Sequence, residues 1–472
     1  MAVLSVDLEM LTKGKRVRYF VYIVFVFLVF GCASKPNIKP EKKIVIKDIN
    51  ITKKTPTIQV EKKLKPKKKV IDFKNQESAG YIENAHIKAH LFSQTAFETS
   101  YFSAWNLENG ESVWNDVDWA FQSYWEKKTY GQNLKPLENS FFYKAFYNAN
   151  FPAYDSIHQK AITLHSLDIR AFPTEKPLFL NPKQAGEGFP FDYLQNSRIH
   201  ANKPLFITHY SKDKKWAHVI SSFTFGWVQV KDIAYLSDKQ VTYLQQAKQV
   251  FLTRDNVALN SIKGEYLFDS KLGMLLPLIQ EKKDSLIVLA IETFQKNKPR
   301  FVKVEISKSI AHIGNIEFNS ENLKQVLDDI KKSKYGWGGL YGERDCSSTL
   351  RDLFAPFGMW LPRNSSRQSR VGEIVSLDNL NKKEKLKKIK SLGVPFRTLL
   401  YKKGHIVLYV GVNKGEVIIL QNVWGVKTKK EGKEGRYIVG KVVFSTLELG
   451  KELENYDADA SLLKKLKSMN TF

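Results

Sequence analysis

The apolar positions of this 472-residue chain change their spacing along its length, and each change predicts a different kind of element. A continuous apolar run from Phe20 to Phe30 stops at Gly31-Cys32-Ala33-Ser34. From His86 to Tyr147 the pattern is helical and dense in aromatic residues, among them Phe92, Phe97, Tyr101, Phe102, Trp105, Trp114, Trp119, Phe121, Tyr124 and Trp125. Such density predicts either a packed helical face or a surface on which sugars stack. From Ile162 short apolar runs separated by turn residues take over. Leu205-Phe206-Ile207, Trp216 to Ile220 and Gly226 to Val230, with Lys212-Asp213-Lys214 as a hairpin turn, predict a small β-barrel. Val250 to Leu252, Leu275 to Ile279, Leu286 to Ile291 and Phe301 to Ile306 predict a second one, with no fixed-period repeat relating the two.

Beyond Ile310 helical spacing returns. Ser320 is placed to cap a helix whose Leu323, Val326, Leu327 and Ile330 share one face. Gly336, Gly338 and Gly339 then allow the backbone to pass close to another element. Asp345 or a near neighbour starts the next helix, with Leu350, Leu353 and Phe354 facing inward. Cys346 therefore falls at a helix N-terminus, where the dipole is expected to favour thiolate and lower its pKa. His405 opens an alternating strand through Ile406, Leu408 and Val410, and Val417 to Gln421 return after Asn413-Lys414-Gly415. A loop of three or five residues puts His405 and Gln421 on one face, whereas two or four turns Gln421 away; the glycine placement favours three with a bulge. Asn381 to Leu392 is a lysine-dense helix with Leu386, Ile389 and Leu392 on one side, either a solvated cover or a device steering acidic ligands.

About ten of the +26 formal charges sit in one segment near the start of the chain. Lys35 to Lys69 holds thirteen lysines against Glu41, Asp48 and Glu61, carries Pro36, Pro40, Pro56 and Pro66, and has no aromatic residue. That composition predicts a self-repelling tether, not a nucleic-acid module, which would need stacking aromatics; attraction to anionic lipid or wall polymer is an unspecific further reading. Upstream, Lys13, Lys15, Arg16 and Arg18 precede an apolar run shorter than the roughly 20 residues of a bilayer span. A signal-anchor helix is the alternative to a secretory leader, and Cys32 after Gly31 resembles a bacterial lipoprotein signal in which that cysteine becomes the lipidated first residue. Cys346 is then left without a disulfide partner and, with Gly404-His405 downstream, reads as an activated thiol. His86 and His90 lie one helical turn apart but lack a carboxylate at matching spacing, so no metal and no cofactor is predicted.

Tyr335-Gly336-Trp337-Gly338-Gly339, Asp345-Cys346-Ser347, the segment from Gly404-His405 to Gly411 and the polar Gln421 together resemble the NlpC-type papain-like cell-wall peptidases. Ala185 to Gln195 and Gly226-Trp227-Val228 are similar to the first bacterial SH3-like domain of multidomain members, and the aromatic helical segment to their N-terminal stabilising domain. The resemblance implies an α+β protein: a signal peptide over 1–32, a tether over 33–76 and a helical domain over 77–160. SH3-like barrels over 161–238 and 239–308 and a papain-like domain over 309–472 follow.

It also implies a cysteine endopeptidase cutting peptidoglycan stem peptides, typically between γ-D-glutamate and the diamino acid. Cys346 would attack, His405 shuttle the proton and Gln421 orient it, where His or Asn is the commoner third residue. Tyr335 would lie by the nucleophile with Trp337 near, and Ser347, Arg363, Asn364 and Ser365 would border the groove, Asn364 replacing a common Asp. Asp345 would either cap the helix or, with Glu187 or Asp192, read the ammonium of a free L-alanine. An amidase or acyltransferase on the same pair, and a wall-binding adaptor without turnover, are the alternatives. The expected protein is a monomer anchored by lipid in the cell envelope, facing the periplasm from the outer membrane if the organism is diderm. No nucleic-acid partner is expected.

Overall fold

The structure, a computed structural model, describes residues 70–472 apart from Asp72 and Lys74. The leader, Cys32 and most of the lysine-rich tether lie outside the described residues.

The helical domain expected over 77–160 contains four short helices, α1 (Ser78–Ala85), α2 (Gln94–Tyr101), α3 (Trp119–Tyr124) and α4 (Asn139–Ala149). His86 ends α1 in the left-handed conformation and His90 pairs through its backbone with Phe318, so the two do not share a helical face. Most of the aromatic residues are core. Phe97, Tyr101, Phe102 and Trp105 pack with Ile162, Phe251, Leu275 and Ile291 of the two sheets that follow. Phe121 stacks on Phe172 with ring centroids 3.8 Å apart. Each buried ring of this kind contributes about 1.5–3 kcal/mol of transfer energy.

The first sheet comprises β1 (Gln159–Thr163), β2 (Leu167–Arg170), β3 (Gln195–Ile199), β4 (Pro204–Tyr210), β5 (Trp216–Ser221), β6 (Phe225–Gln229) and β7 (Ile233–Tyr235), ordered β3-β2-β6-β5-β4-β1-β7. Helix α5 (Asp238–Gln246), held by a Ser237–Gln240 capping box, leads to the second. There β8 (Gln249–Leu252), β9 (Ala258–Asn260), β10 (Tyr266–Asp269), β11 (Leu275–Glu281), β12 (Ser285–Gln295), β13 (Lys298–Ser307) and β14 (Ala311–Ile313) form a five-stranded sheet, β13-β12-β11-β8-β14, and a β9-β10 hairpin.

The C-terminal part contains α6 (Ser320–Ile330), α7 (Cys346–Phe354), α8 (Ser365–Gln368), β15 (Glu373–Ser376), α9 (Lys382–Leu392), β16 (Thr398–Lys402), β17 (His405–Asn413), β18 (Glu416–Lys430), β19 (Lys433–Thr446), α10 (Leu462–Lys465) and β20 (Ser468–Thr471). Its sheet runs β15-β20-β16-β17-β18-β19. Asn319, not Ser320, caps α6, its side chain accepting the Asn322 N–H at 3.0 Å. The apolar faces of α6 and α7 pack on Ile406, Leu408 and Val410 of β17. The opposite face, Val407 and Tyr409, is covered by Ile389 of α9, so this strand is buried on both sides. Lys385 of α9 is itself buried, donating to the carbonyls of Lys464 and Leu466.

Candidate active site

Helix α7 begins at a reciprocal cap. Asp345 accepts the Ser348 N–H at 2.8 Å while the Ser348 hydroxyl accepts the Asp345 N–H at 2.9 Å, which fixes Cys346 as the first helical residue. The Cys346 sulfur accepts backbone N–H groups of Ile406 and Ser347, so it meets the first residues of β17. His405 Nε2 and Gln421 Oε1 are 2.9 Å apart, and the Gln421 amide donates in turn to Ser445 at 2.8 Å. With Nε2 occupied, Nδ1 is the ring nitrogen available to the thiol.

His405 and Gln421 come together by a route other than the expected three-residue loop. The turn is the two-residue Lys414-Gly415, both with positive φ, and its pairing Asn413–Glu416 by itself would send Gln421 to the far face. Between Tyr409 and Gly411 the register slips by one residue, leaving Val410 unpaired. That bulge restores the parity and returns Gln421 to the His405 side.

The resting charge state also differs from expectation. Burial, and after it the Asp345 carboxylate, push the Cys346 thiol up to about 12; the two amide bonds and Arg363 offset this only in part. A helix start alone was expected to lower it, but here the sulfur is enclosed beside an anion. Burial likewise lowers His405 to about 4, Lys402 adding to the effect and the Gln421 bond opposing it. The pair therefore rests as thiol and neutral imidazole.

The thiol lies in a cleft of about 580 Å³ lined by Tyr193, Tyr335, Trp337, Asp345, Ser347, Arg363, Asn364 and Ser365 among others. A second pocket of about 380 Å³ is lined by His405, Gln421, Tyr335, Lys402, Trp424 and Arg436. Tyr335 borders both; burial and the nearby Cys346 and Asp345 hold its phenol well above the usual value, so it remains a hydrogen-bond donor. Trp337 donates its indole N–H to the Asp192 carbonyl at 3.0 Å, tying the cleft wall to the first SH3-like domain.

Several expected groove residues have their polar atoms engaged by the protein. Arg363 is buried and bonds Asp345 at 2.7 Å, Ser347 at 3.0 Å and Ser197 of β3 at 2.7 Å. Burial raises the Asp345 carboxyl, but Arg363 and the Ser348 cap outweigh it and hold the group below its ordinary range. Asn364 caps α8, accepting the Arg367 N–H at 2.9 Å, and Ser365 is its first residue. Asp192 does not reach the cleft as a free carboxylate. It is buried, pairs with Arg170 at 2.7 Å and accepts the N–H groups of Leu178 and Leu194. Glu187 instead accepts the Tyr193 hydroxyl at 3.0 Å.

The sequence reading missed Ser445 and Lys402. Ser445 carries no local signal. Lys402 was legible, because a two-residue Lys403-Gly404 turn pairs Lys402 directly with His405 on one face.

Four family models match this chain: the N-terminal NLPC_P60 stabilising domain over residues 21–154, an SH3 domain of SH3b1 type over 177–229, an SH3 domain of SH3b2 type over 237–283, and the NlpC/P60 family over 332–431. No curated protein matches. Among solved structures, an NlpC/P60 endopeptidase from Photobacterium damselae subsp. piscicida is 22% identical, with a TM-score of 0.69 over 86% of this chain and 98% of that one. An NlpC/P60 family protein from Bacillus cereus is 15% identical, with a TM-score of 0.42 over 66% of this chain and 99% of that one. The first of these likenesses shows a shared fold. The C-terminal part of the chain carries an NlpC/P60 domain, of a family of cell-wall cysteine peptidases, preceded by the stabilising and SH3-type domains that the other models match.

Proposed function

We propose that this protein is a cysteine endopeptidase that cuts peptidoglycan stem peptides at the bond between γ-D-glutamate and the diamino acid. The observation that carries this reading is the meeting of Cys346, on the first turn of α7, with β17, where Gln421 holds the His405 ring. As the sulfur attacks the scissile carbonyl, its proton passes to His405 Nδ1, and the resting neutral pair makes that transfer part of the attack. The Tyr335 hydroxyl, on a residue that lines both pockets, would donate to the oxyanion. Collapse breaks the C–N bond, His405 returns the proton to the leaving amine, and a thioester remains on Cys346. Water, deprotonated by His405, then releases the γ-glutamyl acid and restores the thiol.

The acylating half of the substrate would occupy the larger cleft, beside Asp345 and Tyr193. Glu187 has no cationic partner among the described residues, and through Tyr193 it brings negative charge to that wall. This supports recognition of a free L-alanine ammonium by Asp345 and Glu187 together. Faster hydrolysis of a free tripeptide than of the same peptide amide-linked to muramic acid is the expected result; equal rates would remove this part of the reading. The leader pattern ending at Cys32 supports attachment to an envelope membrane by lipid, and incorporation of labelled palmitate by the intact chain but not by Cys32→Ala tests it.

A further inference from the structure

Most aromatic residues of the N-terminal helical domain are core, but one face of α4 is not. Phe142, Ala145 and Ala149 bury their side of that helix, while Tyr143, Phe146 and Tyr147 stay 62%, 42% and 68% exposed on the other. Their i, i+3, i+4 spacing sets them in one stripe along the helix. Half-buried Trp125 widens the stripe, its ring centroid 5.0 Å from that of Tyr143 and 5.5 Å from that of Phe146. Phe151 extends it past the end of α4, 5.3 Å from Phe146 between centroids. Exposed apolar residues scattered singly need no explanation, but a contiguous aromatic patch marks a surface that a partner covers.

The rim of the patch decides which partner. Lys144 stands one turn from Tyr147 on α4, and Lys212 of the β4–β5 turn holds its ammonium 3.4 Å from the centroid of the Tyr147 ring. That turn is tied to the end of α4: the Lys212 N–H donates to the Asn148 carbonyl at 2.9 Å, and the Asp213 N–H to the Asn148 side-chain oxygen at 3.2 Å. It brings Lys214 and Lys215 to the same end of the helix, and Lys127 and Lys128 follow Trp125 closely in the chain. All six lysines are exposed, and among the described residues none lies within ion-pairing distance of a carboxylate. Asp213 is turned into its own hairpin, accepting the Ser211 hydroxyl at 2.6 Å and the Lys215 N–H at 3.0 Å. A glycan site would need acceptors for sugar hydroxyls, and a lysine ammonium has none. Aromatic rings set among unpaired lysines match a bilayer interface instead, where rings lie at headgroup level and long-stemmed ammonium groups reach anionic phosphates.

We propose that this face of α4 lies on an anionic lipid bilayer, so that the folded body itself contacts the membrane. The choice of a bilayer rests in part on the lipid anchor read at Cys32, but the contact belongs to the folded body and is tested apart from the anchor. The full chain would be bound to vesicles of phosphatidylcholine mixed with phosphatidylglycerol, with and without bromine on the acyl chains, and its tryptophan fluorescence measured. The first tryptophan in the sequence is Trp105, so the leader and the lysine-rich segment are silent in this measurement. Brominated chains are expected to remove the emission of about one of the nine tryptophans, and Trp125→Phe to abolish that loss. Tyr143→Ser with Tyr147→Ser, and separately Lys144→Glu with Lys212→Glu, are expected to cut the quenching at least about threefold while hydrolysis of a soluble tripeptide is unchanged. Both pairs are exposed, so they decide the matter if Trp125→Phe does not fold. No quenching of the unmodified protein, or quenching that survives both pairs, would overturn the assignment. Binding to lipid-free peptidoglycan, or self-association, that the tyrosine pair abolishes would also overturn it, giving the face to a wall glycan or to a second copy of the chain. A chain that takes up no palmitate would remove the Cys32 anchor and leave the vesicle result standing.

Discussion

Burial and the Asp345 carboxylate keep the Cys346 sulfur protonated at rest, and burial keeps His405 unprotonated down to about pH 4. The His405 value lies below its unfolded one, so the ring is the competent base above about pH 4 and loses that role as pH falls through it. kcat/KM is therefore expected to stay level from pH 5 to 8 and to drop near pH 4; an acid limb centred near the ordinary histidine value would contradict this. Gln421→Ala removes the bond that orients the neutral His405 ring and that becomes charge-assisted once the ring takes up the thiol proton, and is expected to lower kcat by about 10- to 100-fold with little change in KM. Steady-state kinetics on a defined peptide reads both. At this scale the sequence was informative where chemistry depends on residue type and order, as for Cys346 and His405. It misled where the answer depends on what encloses a group. Asp192 looked as suitable a carboxylate as Glu187, yet Arg170 and two backbone amides consume it.

The β17–β18 hairpin shows what a single inserted residue does. Its two-residue turn and the unpaired Val410 have opposite effects on which face Gln421 occupies, and only their combination brings it to His405. Deleting Val410 should leave a hairpin able to pair but with every residue from His405 to Tyr409 reversed relative to β18. Loss of turnover together with altered near-ultraviolet circular dichroism is the expected outcome, and retention of activity would contradict the register argument. The apolar faces of α6 and α7 were legible from periodicity, because burial there is one-sided. The bulge was not, since Val410 differs in no local property from the paired valines around it. The long helical pattern at 86–147 broke into short helices because its aromatic residues divide their packing between separate cores. Gly338, expected to permit a close approach, does so at φ +59°, where a Cβ would stand 2.6 Å from the Gln195 carbonyl of β3.

Across the whole molecule, Arg344 joins the second SH3-like domain to the helix that carries the thiol. Its guanidinium bonds Asp255 at 3.0 Å and Asp352 of α7 at 2.7 Å, and it directly precedes the Asp345 cap. Asp255→Ala would leave that buried cation half unpaired and is expected to cost about 3–5 kcal/mol in urea unfolding, with activity falling as α7 loses its support. Acid should weaken the fold as well. Burial lowers His200 to about 3, His209 and His405 to about 4, and His218 well below its ordinary value. Because these folded values are depressed, the stability is present above about pH 6.5 and is lost as pH falls toward 4, so Tm should decline over that window. The domain sequence was legible from motif order, but the interlock at Arg344 was not, because Asp255 lies 89 residues away. Incubating the tripeptide L-Ala-γ-D-Glu-diaminopimelate with the protein and with Cys346→Ala, and weighing the products by mass spectrometry, tests the central claim most directly. The account predicts L-Ala-γ-D-Glu and free diaminopimelate from the unmodified protein and intact tripeptide from the variant; intact tripeptide from both, or the same cleavage by both, would contradict it.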